Sequence, residues 1–470
     1  MNGKLWLLPG LLSSDLGYQG QLADMQGPGT LRRHQARATL QPWNPDPSRC
    51  APPLKPTEAD SREFPSRRWP TPVSHFHPNP QFCDFCLTMA SSAPTVAEEE
   101  RFDSPDDLSR KVDQLVSLIT KSKHFIVFTG AGVSTSAGIA DFRGPAGVWT
   151  LRAQGQESKI RSLSTLNAIP TPTHMALVAL QDANIMAHLV SQNCDGLHRR
   201  SGILPSRISE LHGNSNLEVC RAEGCGREYL RDFRAVASYE KSVHDHRTGR
   251  KCDPVCGGNL YDTIINFGEH LPEKPLADAR AHAAKADLVL VLGSSLTVPP
   301  ACTIPEITAK RRFGKGKMVI CNLQSTPLDN LAALRVWAKA DDLMVRVMEK
   351  LGIEVPGFVL RRRLVVEVYS QDAEMHAVML RGVDVDGTPV TFMRSVKMVG
   401  TRRAAKTEPF TINWRGKLQP GDSIELEVEF MGHYGEPNLT IRHVHSGTTG
   451  YLLAYDPSAG EWKVERGDVV

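Results

Sequence analysis

His124-Phe-Ile-Val-Phe-Thr129 runs directly into Gly130-Ala131-Gly132-Val133-Ser134, and this junction decides the fold. The apolar run predicts a buried strand. The stretch from Ser134 to Ile139 is expected to open a helix. Glycines at a strand-to-helix turn let the backbone approach a phosphate closely, and a helix N-terminus offers free N–H groups and the positive end of its dipole. The junction is therefore expected to hold a nucleotide pyrophosphate. It departs from the usual dinucleotide fingerprint: Thr135 stands where a third glycine is expected, and Gly138 comes later. Gly-x-Gly alone marks a tight turn about as often as a binding loop, so its meaning depends on the rest of the chain.

Asp141-Phe142-Arg143-Gly144 follows the glycines. An apolar strand, Ile185 to Val190, ends in the polar cluster Ser191-Gln192-Asn193-Cys194-Asp195-Gly196-Leu197-His198, and Leu211-His212-Gly213 comes next. Two close cysteine pairs, Cys220 with Cys225 and Cys252 with Cys256, precede Ile264-Ile265-Asn266-Phe267-Gly268-Glu269. Leu288 to Leu292 then leads into Gly293-Ser294-Ser295, and a last strand from Met318 ends in Asn322 and Gln324. In this order the pieces resemble the sirtuin family of NAD-dependent protein deacylases, over about residues 100–355. Gly144-Pro-Ala-Gly-Val-Trp149, Thr171-Pro-Thr-His-Met175 and the cluster at 192–198 resemble its nuclear class IV branch, that of mammalian sirtuins six and seven.

Bulk properties set limits on this expectation. A chain of 470 residues exceeds one compact domain. A net charge of +3 excludes a polycation, so basicity is local: Lys310-Arg-Arg-Phe-Gly-Lys-Gly-Lys317 and Arg361-Arg-Arg363 are each a nuclear-import or nucleic-acid patch, or a solvated loop. Ten cysteines without a convincing secretory signal favour metal binding over disulfides. No stretch is long and apolar enough to span a membrane; Leu5 to Leu12 is short and broken by Pro-Gly.

Residues 1–100, rich in Pro, Ser, Arg and Gln, are expected to be a disordered extension. Met89-Ala-Ser-Ser-Ala-Pro reads as an ordinary protein start, which would make the first 88 residues an upstream extension or a gene-model artefact. His75, His77, Cys83 and Cys86 are a weak candidate for a small zinc site. Order is expected from Ser104, an N-cap followed by Pro105, with Leu108, Val112, Leu115, Val116 and Ile119 forming one apolar helical stripe. Alternating strands and helices to about residue 355 predict an α/β fold, a Rossmann-like parallel sheet covered on both faces, with a small zinc-binding lobe at 214–262. Ala340 to Leu351 reads as its closing helix. From 358 to 470 the pattern becomes all-β: about seven short strands, including the strictly alternating Ser423–Phe430, predict a sandwich. It carries no catalytic constellation. Binding, autoregulation and a structural appendage all remain open for it.

Four cysteines in two pairs, with 26 residues between the pairs, suit a tetrahedral all-thiolate zinc site. The second pair has three intervening residues where the family commonly has two. With four thiolates and no open position, one such ion would be structural. His212 is the candidate general base, since an imidazole titrates near neutral pH and can take a proton from a ribose hydroxyl. Gln192, Asn193 and Asp195 suit recognition of a carboxamide.

The resemblance implies further roles. Asn193 and Asp195 line the nicotinamide pocket and act with His212 in catalysis. Gly130, Ala131, Gly132 and Ser134 hold the pyrophosphate; Asp141, Phe142 and Arg143 lie on the cofactor loop, where Phe142 shields the reacting ribose. Gly293, Ser294 and Ser295 meet phosphate or ribose, Asn322 and Gln324 the adenosine ribose, and Asp341 the adenine end. Ile265, Phe267, Gly268 and Glu269 belong to a strand that pairs with substrate, Ile265 orienting the acyl-lysine amide through its backbone. The implied reaction turns NAD and acyl-lysine into nicotinamide, lysine and O-acyl-ADP-ribose, with histone tails as the expected substrates and chromatin or nucleic acid as a further partner through the basic patches. Two other functions stay open: mono-ADP-ribosyl transfer, and a non-catalytic chromatin adaptor that binds NAD or acyl-lysine. The implied address is the nucleus, including the nucleolus. A mitochondrial address is the alternative, because residues 30–55 carry several Arg and few acids.

Overall fold

The computed structural model describes residues 98–238, 242–311, 314–445 and 447–468. The readings made for residues 1–97, including the Met89 start and the His75–Cys86 cluster, lie outside them. Helix α1 (Pro105–Lys121) starts where expected: the Ser104 hydroxyl accepts from the Asp107 N–H, and Leu108, Val112, Leu115 and Ile119 are buried. The chain continues through β1 (Phe125–Thr129), a short α2 (Val148–Ala153), α3 (Pro172–Asp182), β2 (Met186–Ser191), α4 (Leu197–Ser201) and β3 (Ile208–Glu210). A small lobe of four strands follows: β4 (Leu217–Cys220), β5 (Glu228–Arg231), β6 (Arg247–Lys251) and β7 (Asn259–Asp262). Then come α5 (Glu273–Lys285), β8 (Leu288–Leu292), α6 (Thr303–Ala309), β9 (Lys317–Cys321), β10 (Leu334–Val336) and α7 (Ala340–Leu351).

The six core strands lie in the order β10-β9-β8-β1-β2-β3, and every pairing is parallel. Numbered within the sheet, that is the 3-2-1-4-5-6 order of a doubly wound dinucleotide-binding fold. All five residues of β1 and of β8 are buried, as a sheet covered on both faces requires. Side-chain alternation splits β1 between two cores. Phe125 and Val127 pack with residues of α1, α3 and α7, whereas Ile126 and Phe128 pack with residues of α5 and α6. The strand order reverses between β1 and β8, so the crevice beyond their carboxyl ends, at Gly130 and Gly293, is where such a sheet takes its ligand.

Ten strands make up the rest: β11 (Leu360–Ser370), β12 (Met375–Val383), β13 (Pro389–Thr391), β14 (Met393–Met398), β15 (Ala404–Ala405), β16 (Phe410–Arg415), β17 (Ser423–Phe430), β18 (Leu439–Val444), β19 (Thr448–Asp456) and β20 (Glu461–Arg466). One sheet runs β15-β14-β17-β18; a second runs β20-β19-β11-β12-β13, with β16 also on β12. Val366, Leu380, Val396, Phe392, Leu426 and Val428 belong to the apolar core they share. The sandwich therefore forms, with ten strands instead of about seven. β13 and β15, of three and two residues, are too short to show alternation in sequence.

The second sheet does not stop at β13. It continues by parallel pairing of Val390 with Leu230 and Thr391 with Arg231 into β5, β4, β7 and β6. The small lobe and the C-terminal strands thus share one backbone hydrogen-bond network. Side chains reinforce the joint. Arg231 reaches Glu218 at 2.7 Å and Thr391 Oγ1 at 2.6 Å, and Arg362 reaches Asp232 at 2.7 Å. Glu218 is fully buried, and Arg231 and Arg250 both pair with it. Arg361–Arg363, read as a patch or a solvated loop, lie instead at the start of β11, with Arg362 consumed in that ion pair.

Candidate functional site

At the end of β1 the chain turns over Gly130 and Gly132 against the loop after β8. Gly132 N–H donates to Gly293 O at 2.9 Å, and a Cβ on any of these three glycines would sit about 2.7 Å from the opposing backbone. The glycines are thus needed first for loop-on-loop packing. The helix expected from Ser134 to Ile139 does not form. Two 3-10 turns, Ala131–Val133 and Thr135–Ala137, take its place, and Gly138 ends them in the left-handed region at φ +82°. The reason lies in Ser134: its hydroxyl donates to Asp195 Oδ2 at 2.7 Å, which pulls the turn toward the second loop.

That second loop follows β2. Asn193 Nδ2 donates to Gly130 O at 3.0 Å and reaches Ser134 Oγ at 3.4 Å, and Asp195 Oδ1 accepts from Leu197 N. Ser134, Asn193, Asp195 and Ser294 are all buried, a polar cluster at the carboxyl ends of the strands. Ser294 Oγ donates to Gln192 Oε1 at 2.7 Å, which ties the β8 loop to the β2 loop. Ser295 Oγ lies 2.9 Å from Thr297 Oγ1.

His212 is half-buried, and its Nδ1 lies 2.9 Å from Gln192 O. A carbonyl only accepts, so Nδ1 carries the hydrogen and Nε2 is left as the basic nitrogen. Burial lowers the His212 pKa below 6.5, against the opposing pull of the Gln192 carbonyl, and keeps the ring neutral at physiological pH. Gly213 has φ +77°, and a Cβ there would lie 1.8 Å from Thr263 O. Gly213→Ala is therefore expected to displace either His212 or the 263–265 segment. The chain should lose at least about 2 kcal/mol, since strain at a special φ and overpacking act together. A denaturant melt within error of the parent would contradict this.

The two segments expected to frame cofactor and substrate meet through aromatic rings. Phe142, 37 % exposed, packs on Trp149 at 4.9 Å, and Trp149 packs on Phe267 at 5.5 Å. The Arg143 guanidinium lies 4.4 Å over Trp149. Asp141 stays inside its own loop: Oδ2 accepts from Gly144 N, and burial raises its pKa. Ile264–Glu269 is not a strand, contrary to expectation. Ile265 N–H donates to His212 O at 3.2 Å, but Glu269 folds back to accept from Asn266 N, and Phe267–Gly268 form a turn at φ +88° on the glycine. His246 pins that turn to the small lobe, with Nδ1 2.8 Å from Asp262 and Nε2 2.9 Å from Glu269. Burial alone would lower its pKa, but the two carboxylates outweigh burial and raise it.

The adenosine-end candidates are engaged with the protein. Asn322 Nδ2 donates to Gln324 O and Gln324 Nε2 to Glu98 O. Asp341 caps the start of α3 by accepting from Thr173 N and Oγ1, and it also binds Ser136 Oγ. The structure thus joins Asp341 to the glycine turn through Ser136, in a structural task that its sequence position did not suggest.

A dinucleotide fits this donor set. The buried Asn193–Asp195–Ser134 cluster matches a carboxamide, and the Trp149 indole N–H is buried with no acceptor among the described residues. Zinc fits equally well. The four sulfurs of Cys220, Cys225, Cys252 and Cys256 lie within 4.8 Å of one another, with Cys220–Cys256 at 3.6 Å and Cys225–Cys252 at 3.8 Å. Zn–S bonds of about 2.3 Å in a tetrahedron place sulfurs ~3.8 Å apart. The longer spacer in the second pair is therefore accommodated, its bend made by the Asp253 side chain accepting from Val255 N and Cys256 N.

Residues 155–300 match the Sir2 family model. Three curated relatives widen that match. The NAD-dependent protein deacetylase SRT1 of Arabidopsis thaliana is 42 % identical over 318 residues, covering 66 % of this chain and 65 % of the relative. Human NAD-dependent protein deacetylase sirtuin-7 is 44 % identical, covering 56 % of this chain and 65 % of the relative. NAD-dependent protein deacetylase Sirt6 of Drosophila melanogaster is 38 % identical, covering 55 % of this chain and 81 % of the relative. The chain belongs to the Sir2 family. It spans just under two thirds of the length of the Arabidopsis and human relatives.

This sirtuin chain also holds site-shaping residues to which the sequence assigned no role. His198 is buried, with Nε2 2.9 Å from Thr129 Oγ1, and burial lowers its pKa to about 3. It is a neutral strut between β1 and the 192–198 loop, and its only signal in sequence was membership of that motif. Trp149, at the end of Gly144–Trp149, carried the same kind of signal. His246 carried none.

Proposed function

We propose that this chain is an NAD-dependent protein-lysine deacylase. The observation that carries the proposal is His212: a neutral imidazole with Nδ1–H bound to Gln192 O and Nε2 free, on the segment that also holds Ile265. When bound, NAD supplies an anomeric carbon whose nicotinamide leaves, so that the acyl group ends on ADP-ribose. Ser134, Asn193 and Asp195 orient the carboxamide, and the glycine turn with Ser294 faces the phosphates. Phe142 and Trp149 exclude water from the reacting centre. His212 Nε2 takes the proton of a ribose hydroxyl. Ile265 and its neighbours present backbone to the acyl-lysine peptide. Zinc on the four cysteines supplies a cross-link only, because four thiolates leave no position for a reactant. Resemblance to the nuclear class IV branch favours acylated lysines of nuclear proteins, histone tails first, and a nuclear address.

Mass spectrometry of an acyl-histone peptide panel with and without NAD tests this. NAD-dependent loss of acyl mass with matching O-acyl-ADP-ribose is the expected result. Radiolabel from NAD retained on protein, with no acyl loss, would replace deacylation by mono-ADP-ribosyl transfer.

The pH profile has two expected limbs. The His212 pKa is lowered, so its base form persists below 6.5 and kcat/KM should fall only at more acidic pH. The His246 pKa is raised, so its charged link to Glu269 is complete below about 6.5 and is lost as pH rises through the folded value. Peptide KM should therefore climb on the alkaline side, and Glu269→Gln should flatten that climb. An acid limb centred above 6.5 would contradict the first expectation, and a Glu269→Gln profile identical to the parent would contradict the second.

A further inference from the structure

Helices α3 and α4, strand β5 and the first residues of β11 enclose a cavity of about 290 Å³, near the lower end for small-ligand pockets. Six guanidinium groups line it: Arg199, Arg200, Arg231, Arg361, Arg362 and Arg363. Three carboxylates face them, Asp182, Asp232 and Asp384. Asp232 is taken by Arg362 and Asp384 by Arg199, each at 2.7 Å, while Arg231 is answered from outside the lining by Glu218 at 2.7 Å and Glu408 at 3.2 Å. Arg363 comes no nearer to Asp384 than 3.9 Å. Arg200 bonds to neutral oxygens, Thr165 O at 2.6 Å and Asn216 Oδ1 at 3.4 Å. The Arg361 side chain makes no hydrogen bond or ion pair among the described residues, and its Nη1 stands over Gly202. Arg199 has a side chain only 6 % exposed, and its Nε is buried without an acceptor among the described residues.

Two observations therefore coincide in one cavity: guanidinium groups, those of Arg200 and Arg361, that no carboxylate answers among the described residues, and an orphaned buried donor, Arg199 Nε. Buried donors are ordinarily satisfied, and guanidinium forks match phosphoryl oxygens in bidentate geometry. The volume is too small for a nucleic-acid strand. Leu230, Val390 and Phe392 give it one apolar wall, with Arg362 stacked 5.5 Å over the Phe392 ring. We propose that this cavity binds a small polyanion carrying several phosphoryl groups, at a site separate from the crevice at Gly130 and Gly293. The proposal is independent of the deacylase reading, since none of the six arginines belongs to that crevice.

The test is calorimetric titration of the full zinc-loaded chain with inorganic tripolyphosphate. NAD is kept saturating so that the crevice is occupied, and zinc content is measured before and after. One-to-one binding is expected, weakened by about tenfold or more in Arg361→Ala/Arg363→Ala as charge-assisted hydrogen bonds are lost. Lys310→Glu/Lys317→Glu, which alters a separate basic stretch, is expected to bind as the parent does. Arg361→Ala alone serves if the double variant melts early, because the exposed Arg361 side chain has no partner to abandon. No binding to the parent, or equal binding by parent and both arginine variants, would overturn the proposal.

Discussion

A His212→Tyr chain is expected to fold, keep its zinc and lose NAD-dependent deacylation. The half-buried imidazole is neutral at physiological pH and held by the Gln192 carbonyl through Nδ1, which leaves Nε2 basic. A phenol titrates near 10 and cannot take a proton at neutral pH. Removal of a positioned general base costs about 10²–10⁴ in rate. The neighbouring Leu211 is fully buried and Ile265 bonds to the residue 212 backbone, so the fold has no need of the ring. Turnover within tenfold of the parent, with an unchanged melting curve, would rule out His212 as the base.

Zinc removal is expected to have the second large effect. Structural zinc contributes about 10–16 kcal/mol of apparent binding free energy in finger peptides, which is folding free energy when no site preforms. Here the ligands sit in β4–β7 and their turns, where Leu260 and Tyr229 are the other buried members of the small cluster around them. Without the ion, four thiols crowd within 4.8 Å around a core too small to hold itself together. Chelation should abolish deacylase activity and lower the melting temperature together. It should also loosen β13, because that strand pairs with β5 of the lobe. Verified zinc loss with activity and melting curve intact would contradict this expectation.

Much of this was readable beforehand because its signals are local. The five-residue apolar runs of β1 and β8 are bounded by glycine, and Ser104-Pro105 starts α1 with a cap and a fixed φ. His212 was singled out as a candidate through its neighbours Leu211 and Gly213. The failures share a cause. The Ser134–Ile139 stretch has a helical look, but a hydrogen bond from Ser134 to Asp195, 61 residues on, sets its course. Ile264–Glu269 has the composition of a strand, yet the Glu269 side chain turns it back and His246 fixes it there. Arg362 was read by position, and it is spent on Asp232, 130 residues away. Long-range pairings of that kind leave no period in the sequence.

The parallel pairing of β13 with β5 has a mechanical meaning. A lobe of four short strands on two chain crossings would swing as a light flap over the crevice. Here it is one end of a beam that runs through β5 and β13 to β20. Any rocking that moves Ile265 toward or away from His212 must carry the whole beam or break backbone bonds at Val390 and Thr391. The far end of the beam is β20, a mostly exposed edge strand, so the lobe beside the crevice and that distant edge belong to one hydrogen-bonded span.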